Sequence, residues 1–262
     1  MTKFLLCKPT FYGVKYEINP WMDIEKSPSW VKANSQWNKL KTVISKCKAK
    51  IHYLNPSSTL PDMVFTANAG ILKGNTFLPS NFRYKERQGE KDHFKRWFKN
   101  EGYQVYEVHP EISCEGAGDA LFEGGTLFAG YGIRTDKEAY GTICKVLEID
   151  DLIFCHLVDD YFYHLDTCFC PLGNGHAIIY PKAFSSTSLE RMSKEIELHE
   201  VPEKDAKKFA CNAVVIGNQV IISSGCNKTR KILEDLGMIV FDVDMDQFIL
   251  AGGACKCLTI KI

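Results

Sequence analysis

Two cysteines near the end of the chain, in the segment AGGACKCLTIKI, are the first residues whose types could do chemistry. Cys255 and Cys257 flank a single lysine and follow a pair of glycines. Such thiols could bind a metal ion, form a disulfide, pack in the core or act as a nucleophile. The CxC spacing, which also occurs at Cys168 and Cys170, is shorter than the usual spacing of zinc ligands, so structural zinc is disfavoured. On a strand, this spacing would place both thiols on one face.

Three other segments carry polar side chains among apolar ones, and each stands just ahead of a predicted turn. The segments are PDMVFTANAG, EGAGDALF and FYHLDTCF. Polar groups that are buried in this way need a partner or a purpose. A thiol, an imidazole and several carboxylates would together supply a nucleophile, a base and the groups that orient them. The residues of this set are Asp62, Asn68, Glu115, Asp119, His164, Asp166 and Cys257.

Each of these residues also has a purely structural interpretation. Asn68 and Asp119 could cap turns, and Asp166 could cap a helix or a turn. His164 could be a core histidine with satisfied hydrogen bonds. Their equivalent positions in a repeat are what favour a shared site. The other histidines show no comparable arrangement, and we expect them to be structural: His52, His93, His109, His156, His176 and His199.

A repeated unit organises the chain around these residues. Two apolar runs separated by a glycine-containing turn occur at AGILKGNTFLP, DALFEGGTLFAG, PLGNGHAIIYP and AVVIGNQVIIS. This pattern predicts β-hairpins. The turns centre near Gly74, Gly124, Gly173 and Gly217, which is a period of about 40 to 50 residues. A helical pattern and then a short apolar segment follow each hairpin, so the unit is hairpin, helix, strand.

The two ends of the chain fit one further copy of this unit that has been cut open. The N-terminal part offers a strand (KFLLC), a helix (NSQWNKLKTVISKC) and a strand (KIHYL), and the final segment KCLTIKI offers the missing partner. Pairing the ends would close a ring and remove unpaired sheet edges. We therefore expect an α/β fold, a five-bladed pseudo-symmetric ββαβ propeller formed by residues 1–262 as one catalytic domain. The alternative is an ordinary α/β sheet with hairpins.

Composition narrows the class of partner. The 262 residues include 32 basic and 32 acidic side chains, so no bulk charge favours nucleic acid or an anionic membrane. No apolar run is long enough for a signal peptide or a membrane span. Eleven cysteines in such a chain are expected to be free thiols in a reducing compartment, mostly buried as small apolar side chains. We expect a cytoplasmic protein that acts on a small molecule, with a homo-oligomer as one possibility.

Several motifs resemble those of the guanidine-modifying enzymes, the pentein superfamily of arginine deiminases, dimethylarginine dimethylaminohydrolases and amidinotransferases. The motifs are GGACKCLT, HLDTCF and PDMVFTANAG, and the resemblance covers essentially the whole chain. It implies a five-bladed ββαβ ring, in agreement with the repeat. YEINPWM and VFTANAG make the chain most similar to arginine dihydrolase. Two departures from the deiminases are Asn68, where most have Asp, and Glu115, which lies one residue earlier than their glutamate.

The resemblance implies a role for each candidate residue. Cys257 resembles the nucleophile and His164 the general acid and base. Asp119 and Asp166 match the carboxylates that hold the guanidinium and the histidine. The implied substrate-binding set contains two arginines for the substrate α-carboxylate, two asparagines associated with the dihydrolase outcome and two further carboxylates: Arg87, Arg134, Asn19, Asn68, Asp62 and Glu115.

The implied reaction is hydrolysis of the guanidinium group of arginine through a covalent amidino-thioether on Cys257, with no metal or cofactor. The incoming cation would itself lower the pKa of the thiol. Asn68 can donate as well as accept, so it could hold citrulline for a second attack that yields ornithine, ammonia and carbon dioxide. Alternatives are a dimethylarginine dimethylaminohydrolase, an arginine deiminase or an amidinotransferase of the same superfamily, a non-catalytic ring scaffold, and a zinc protein built on the CxC pairs.

Overall fold

Five three-stranded sheets make up the β-structure of the computed structural model, which describes residues 1–262. In four sheets an antiparallel hairpin is followed by a third strand that runs parallel to the second. The strands are β1 (Lys3–Cys7), β2 (Lys50–Leu54), β3 (Gly70–Lys73), β4 (Thr76–Pro79), β5 (Gln104–Val105), β6 (Ala120–Glu123), β7 (Thr126–Tyr131), β8 (Leu152–His156), β9 (Phe169–Pro171), β10 (His176–Ile179), β11 (Glu197–Glu200), β12 (Val214–Ile216), β13 (Gln219–Ser223), β14 (Ile239–Val243) and β15 (Ile260–Lys261).

The fifth sheet joins the two ends of the chain, in the order β15, β1, β2. Strand β1 pairs antiparallel with β15, where Phe4 opposes Lys261 and Leu5 opposes Ile260. The same strand pairs parallel with β2. The predicted closure of the ring by the N- and C-terminal strands is therefore confirmed. The first strands of all five sheets line one central cavity, as residues Leu72, Leu121, Cys170, Val215 and Ile260 show.

One long helix accompanies each blade, and short helical turns stand between the blades. The α-helical segments are α1 (Trp30–Lys46), α2 (Lys85–Gln88), α3 (Glu90–Asn100), α4 (Ala139–Leu147), α5 (Leu165–Cys168), α6 (Ser186–Glu195), α7 (Glu203–Ala206), α8 (Asn227–Asp235) and α9 (Asp246–Ile249). Tighter 3₁₀ turns cover Pro61–Val64, Thr66–Ala69, Gly116–Gly118, Asp160–Phe162 and Pro181–Ala183. Helix α1 begins before the predicted segment because the Ser29 side chain caps it by accepting the backbone N–H of Lys32.

Apolar contacts between helix and sheet hold each blade together. In the first complete blade, Phe94 and Phe98 of α3 are fully buried, and the Phe98 ring stacks on Phe77 of β4 with centroids 3.6 Å apart. All eleven cysteines are free, and only Cys144 among them is not fully buried, as expected for small apolar filler. No helix of the chain combines the length and the apolar content that crossing a bilayer requires.

Two of the predicted strands are shorter in the structure, and one of them belongs to the segment that carries Cys257. The predicted strand YQVYEV is only Gln104–Val105, and KCLTIKI contributes only Ile260–Lys261. Residues 255–258 form a turn instead. Cys168 likewise ends a helical turn rather than lying in a strand. Neither CxC pair therefore lies within a single strand, and strand alternation does not apply to either.

Candidate active site

The segments that lead into the first strands of the five blades meet around the central axis. They are helical turns or bends rather than strand residues, and hydrogen bonds link them into a closed circle. Each bond joins one blade to the next: Ala67 N–H to Cys257 O at 3.0 Å, Asn68 Nδ2 to Glu115 O at 3.2 Å, Leu165 N–H to Asp119 Oδ1 at 3.0 Å, Asn212 Nδ2 to Asp166 O at 3.0 Å, and Cys257 N–H to Asn212 Oδ1 at 3.0 Å.

Cys257 lies inside this circle with 3% of its surface exposed. Its Sγ atom is 3.7 Å from each carboxylate oxygen of Asp166 and receives a hydrogen bond from Asn212 Nδ2 at 3.0 Å. Burial, followed by the charge of Asp166, raises the pKa of the Cys257 thiol well above its ordinary value. The sulfur is therefore a protonated thiol at neutral pH.

Asn212 is a central residue that sequence reasoning missed. Its Oδ1 accepts the backbone N–H groups of Ala254 and Cys257 at 3.1 and 3.0 Å. These groups can only donate, so the amide orientation is fixed and Nδ2 must face the sulfur. A signal was present in the repeat, because Asn212 stands two residues before β12 as Asn68 stands two residues before β3.

His164 is buried between two carboxylates. Its Nδ1 is 3.1 Å from Asp119 Oδ2, and its Nε2 is 3.1 Å from Glu115 Oε2. Burial lowers the pKa of His164, but Asp119 and Glu115 outweigh it and raise the pKa to about 9. At neutral pH the ring is an imidazolium that donates from both nitrogens. Asn68 Nδ2, 3.3 Å from Nε2, is then a neighbouring donor rather than a partner.

The two aspartates have different neighbours. Asp119 Oδ2 accepts the hydroxyl of Thr135 at 2.6 Å in addition to its contact with His164. Asp166 lies beside Cys257 instead, and burial raises the pKa of Asp166 to about 6 although Lys256 lowers it. In the structure Asp119 is the partner of the histidine, and Asp166 faces the thiol.

Glu115 is more central than its shifted place in the motif suggested. Arg134 Nη1 donates to Glu115 Oε2 at 3.0 Å, on the same oxygen that contacts His164. Burial opposes its ionisation, but Arg134 and His164 hold the pKa of Glu115 well below its ordinary range. Arg134 itself lies against the rings of Tyr84 and Tyr163, with its Cζ atom 4.7 and 4.6 Å from their centroids.

Arg87 also has its partners inside the protein. Its Nε and Nη2 donate to the carboxylate of Glu90 at 2.8 and 2.9 Å, and Nη1 donates to Asn68 Oδ1 at 3.0 Å. Burial raises the pKa of Glu90 to about 7 despite the charge of Arg87. Arg87 and Arg134, the predicted α-carboxylate ligands, are thus both engaged by buried glutamates. Glu90 was not among the residues predicted from the sequence, although it lies three residues beyond Arg87.

Asp62 and Asn19 form part of the surrounding wall. Asp62 Oδ2 accepts the hydroxyl of Tyr16 at 3.0 Å, and burial raises the pKa of Asp62. Asn19 Nδ2 donates to the backbone oxygen of Ala251 at 3.2 Å, in the loop that leads to the nucleophile. The structure therefore brings all the candidate residues into one continuous hydrogen-bonded neighbourhood, although Asn19 serves the backbone of that loop.

Negative charge is in excess at this site. Five buried carboxylates stand against three buried cationic side chains, so the buried excess is two when all are ionised: Asp62, Glu90, Glu115, Asp119 and Asp166 against Arg87, Arg134 and His164. The half-buried Lys256 near Asp166 offsets one of these two charges. Burying an unbalanced charge is costly. Burial is the main cause that raises the pKa values of Asp62, Glu90 and Asp166, and neighbouring carboxylates add to it. A bound cation would relieve the cost of this burial, so the site favours a positively charged ligand.

Comparison with known proteins agrees with this chemistry. A family model described as N,N dimethylarginine dimethylhydrolase, eukaryotic, matches residues 18–262. The chain belongs to this family. The N(G),N(G)-dimethylarginine dimethylaminohydrolase of Mycobacterium tuberculosis is 34% identical over 99% of the chain and 85% of its own length. The predicted superfamily is therefore confirmed.

Cyanobacterial relatives are more similar in sequence to this member of the dimethylarginine dimethylhydrolase family than the mycobacterial protein is. The bifunctional arginine dihydrolase/ornithine cyclodeaminase ArgZ of Synechocystis is 42% identical over 99% of the chain, which spans only 37% of the relative. The N-terminal domain of ArgZ, solved with bound product, matches 99% of this chain and 97% of that domain with a TM-score of 0.96 and 41% identity. The predicted pentein fold is confirmed by this match.

Proposed function

We propose that residues 1–262 form a single catalytic domain that hydrolyses the guanidinium group of arginine and acts as an arginine dihydrolase. The excess of buried carboxylates around a thiol and an imidazolium is the observation that carries this proposal. The high identity to ArgZ, which is described as an arginine dihydrolase, supports the choice of substrate. A free catalytic thiol suits a reducing compartment, so we propose a cytoplasmic location; a homo-oligomer stays a prediction.

In the first half of the proposed reaction, the guanidinium lies between Asp166 and the carboxylates near His164. Its charge offsets the effect of Asp166 and lowers the pKa of the Cys257 thiol. The thiol releases its proton to solvent, and the thiolate attacks the central carbon. Asn212 Nδ2 stabilises the thiolate before attack. His164, an imidazolium at neutral pH, protonates the departing nitrogen, and ammonia leaves from an amidino-thioether.

In the second half, neutral His164 takes a proton from water, which attacks the amidino-thioether. The carbon–sulfur bond breaks, Cys257 is restored and citrulline is the first product. A second cycle at the ureido carbon consumes another water and releases a second ammonia, carbon dioxide and ornithine. Asn68 is the residue we propose to permit this cycle. Its Oδ1 is held by Arg87 while Nδ2 keeps an N–H that can donate to a ureido oxygen.

Product analysis tests this function directly. The chain is incubated separately with arginine, citrulline and asymmetric dimethylarginine, and ornithine, citrulline, ammonia and dimethylamine are quantified. We expect ornithine and two equivalents of ammonia from arginine, and no turnover by Cys257→Ser. Citrulline that accumulates from arginine without ornithine would reject the dihydrolase but keep the hydrolase. No turnover of any of the three substrates would reject both.

The role of Asn68 has its own test. Replacing Asn68 with Asp keeps the acceptor for Arg87 but removes the N–H that would hold a neutral ureido group. We expect Asn68→Asp to turn over arginine with a larger share of citrulline among the products. An unchanged ratio of ornithine to citrulline would contradict the role. Arg96→Lys, an exchange on helix α3 outside the contacts described above, serves as a control that should leave the ratio unchanged.

Dimethylarginine hydrolysis is the second candidate, favoured by the family model and the mycobacterial relative. It uses the same thiol and the same acid and releases dimethylamine in place of ammonia. Release of dimethylamine faster than release of ammonia from arginine would favour this candidate.

A further inference from the structure

Two histidines and a glutamate form a cluster on the outer two strands of one blade, apart from the segments that hold Cys257. His176 on β10 pairs in register with Glu197 on β11, and Ile178 pairs with His199. Because side chains alternate along a strand, all three polar side chains lie on one face of the sheet. The sequence, which predicted only structural roles for His176 and His199, gave no sign of this cluster.

The donor atoms of this cluster stand at distances typical of ligands around a single ion. His176 Nδ1 is 3.0 Å from His199 Nε2, and oxygens of Glu197 lie 3.4 Å from the first nitrogen and 3.6 Å from the second. In a tetrahedral site with bonds of about 2.0–2.1 Å, ligand atoms are about 3.3–3.4 Å apart. Small rotations of the side chains would thus form one face of a tetrahedron.

The chemistry of the donors selects the class of ion. Imidazole nitrogens suit zinc, copper and nickel, whereas calcium and magnesium prefer oxygen ligands. The side chains are 29%, 21% and 66% exposed for His176, His199 and Glu197, so an ion can enter from solvent and keep a water as a further ligand. We propose that His176, Glu197 and His199 bind one divalent transition-metal ion, with Zn²⁺ as the probe.

Binding at this site would connect the middle and edge strands of the blade. Strand β11 is the edge strand of its sheet, and β9 on the other side lies next to the central axis. An ion that binds only when β10 and β11 are paired stabilises the folded chain by mass action. The ion takes no part in arginine hydrolysis, so removing these ligands should leave turnover unchanged.

Calorimetric titration with zinc chloride tests the proposal. The untagged Cys257→Ser variant is the parent, because a catalytic thiol could bind zinc itself. We expect one equivalent of Zn²⁺ to bind and the Tm to be higher with zinc than without it. Adding His176→Ala or His199→Ala should weaken the affinity at least about tenfold and abolish the Tm shift. Adding Glu197→Gln should weaken it less.

The control is His109→Ala, which removes an exposed histidine elsewhere on the surface and should leave zinc affinity unchanged. All variants are checked by circular dichroism, and His199→Asn provides a second, more conservative loss of the ligand. Two results would overturn the proposal. One is a parent that binds no stoichiometric zinc; the other is binding of equal affinity in the parent, His176→Ala and His199→Ala.

Discussion

Replacing Asn212 with Asp separates the two tasks that this amide performs for Cys257. An aspartate can still accept the backbone N–H groups of Ala254 and Cys257, which Oδ1 now accepts at 3.1 and 3.0 Å. It cannot donate as Nδ2 does to the sulfur at 3.0 Å, and it brings a negative charge next to the atom that must become a thiolate. The turn that carries the nucleophile should therefore keep its support while the thiolate loses its donor.

The expected loss follows from the two changes. A hydrogen bond to a charged group contributes about 1.5–3 kcal/mol, so removing it slows formation of the reactive thiolate about 10- to 150-fold. Repulsion between two charges about 4 Å apart adds up to about 4 kcal/mol at an effective dielectric constant of about 20. We expect kcat/KM for arginine to fall by more than about a hundredfold, mainly through kcat, because the carboxylates that would hold the substrate are all retained, although the backbone oxygen of Asp166 also loses its bond from Nδ2.

Two assays measure this effect. Steady-state turnover of arginine gives kcat and KM, and mass spectrometry follows alkylation of Cys257 by iodoacetamide across pH, which should shift to higher pH in Asn212→Asp. The matched control is Asp205→Asn, the reverse exchange at a buried residue that accepts the N–H and hydroxyl of Thr229 at 2.9 Å each. It should lower the Tm but leave kcat/KM unchanged. A folded Asn212→Asp variant with wild-type kcat/KM and alkylation profile would refute the reasoning.

Three further predictions concern the pH dependence and the packing of the site. Because the pKa of Asp166 is raised to about 6, kcat/KM should decline as pH falls below about 6. The variant Asp166→Asn should have a much lower maximal kcat/KM and should not show this decline. A decline that persists in the variant would mean that another group causes it. The pKa of His164 is raised from 6.5 to about 9, so its stabilising effect is complete below about 6.5 and is lost as pH rises through 9. We expect the unfolding free energy of the wild type, measured by urea unfolding, to fall by about 3 kcal/mol between pH 6.5 and 9 because of this group. His164→Gln should lack this dependence. The same fall in unfolding free energy with pH in both proteins would contradict the raised pKa. A Cβ at Gly118 would lie 2.5 Å from Asn68 Nδ2 and 3.2 Å from His164 Nδ1, so Gly118→Ala should reduce kcat strongly. Gly141→Ala, in open space on α4, should leave kcat unchanged. Comparable activity of the two variants would show that Asn68 and the His164 ring can move aside.

The repeat was readable from the sequence because each hairpin carries its own local signal. Glycines near the predicted turns adopt positive φ, as at Gly74 (59°) and Gly217 (60°), a conformation in which other residues are strained. The helical turns before the hairpins were not predicted, because three or four residues show no periodicity. Tertiary contacts position them instead, as where Asp119 Oδ1 accepts the backbone N–H of Leu165.

The sequence by itself determined the five units, the joining of the chain ends, and the presence of a thiol, an imidazole and several carboxylates at equivalent places. Only the tertiary structure decided which groups are partners: Glu115 with His164 and Arg134, Arg87 with Glu90, and Asn212 with Cys257. Spacing along the chain indicates the blade and the end of the strand at which a side chain lies. Hydrogen bonds and ion pairs depend on differences of a few tenths of an ångström in the distance between two side chains. The packing of the blades and of the turns that lead into them sets those distances.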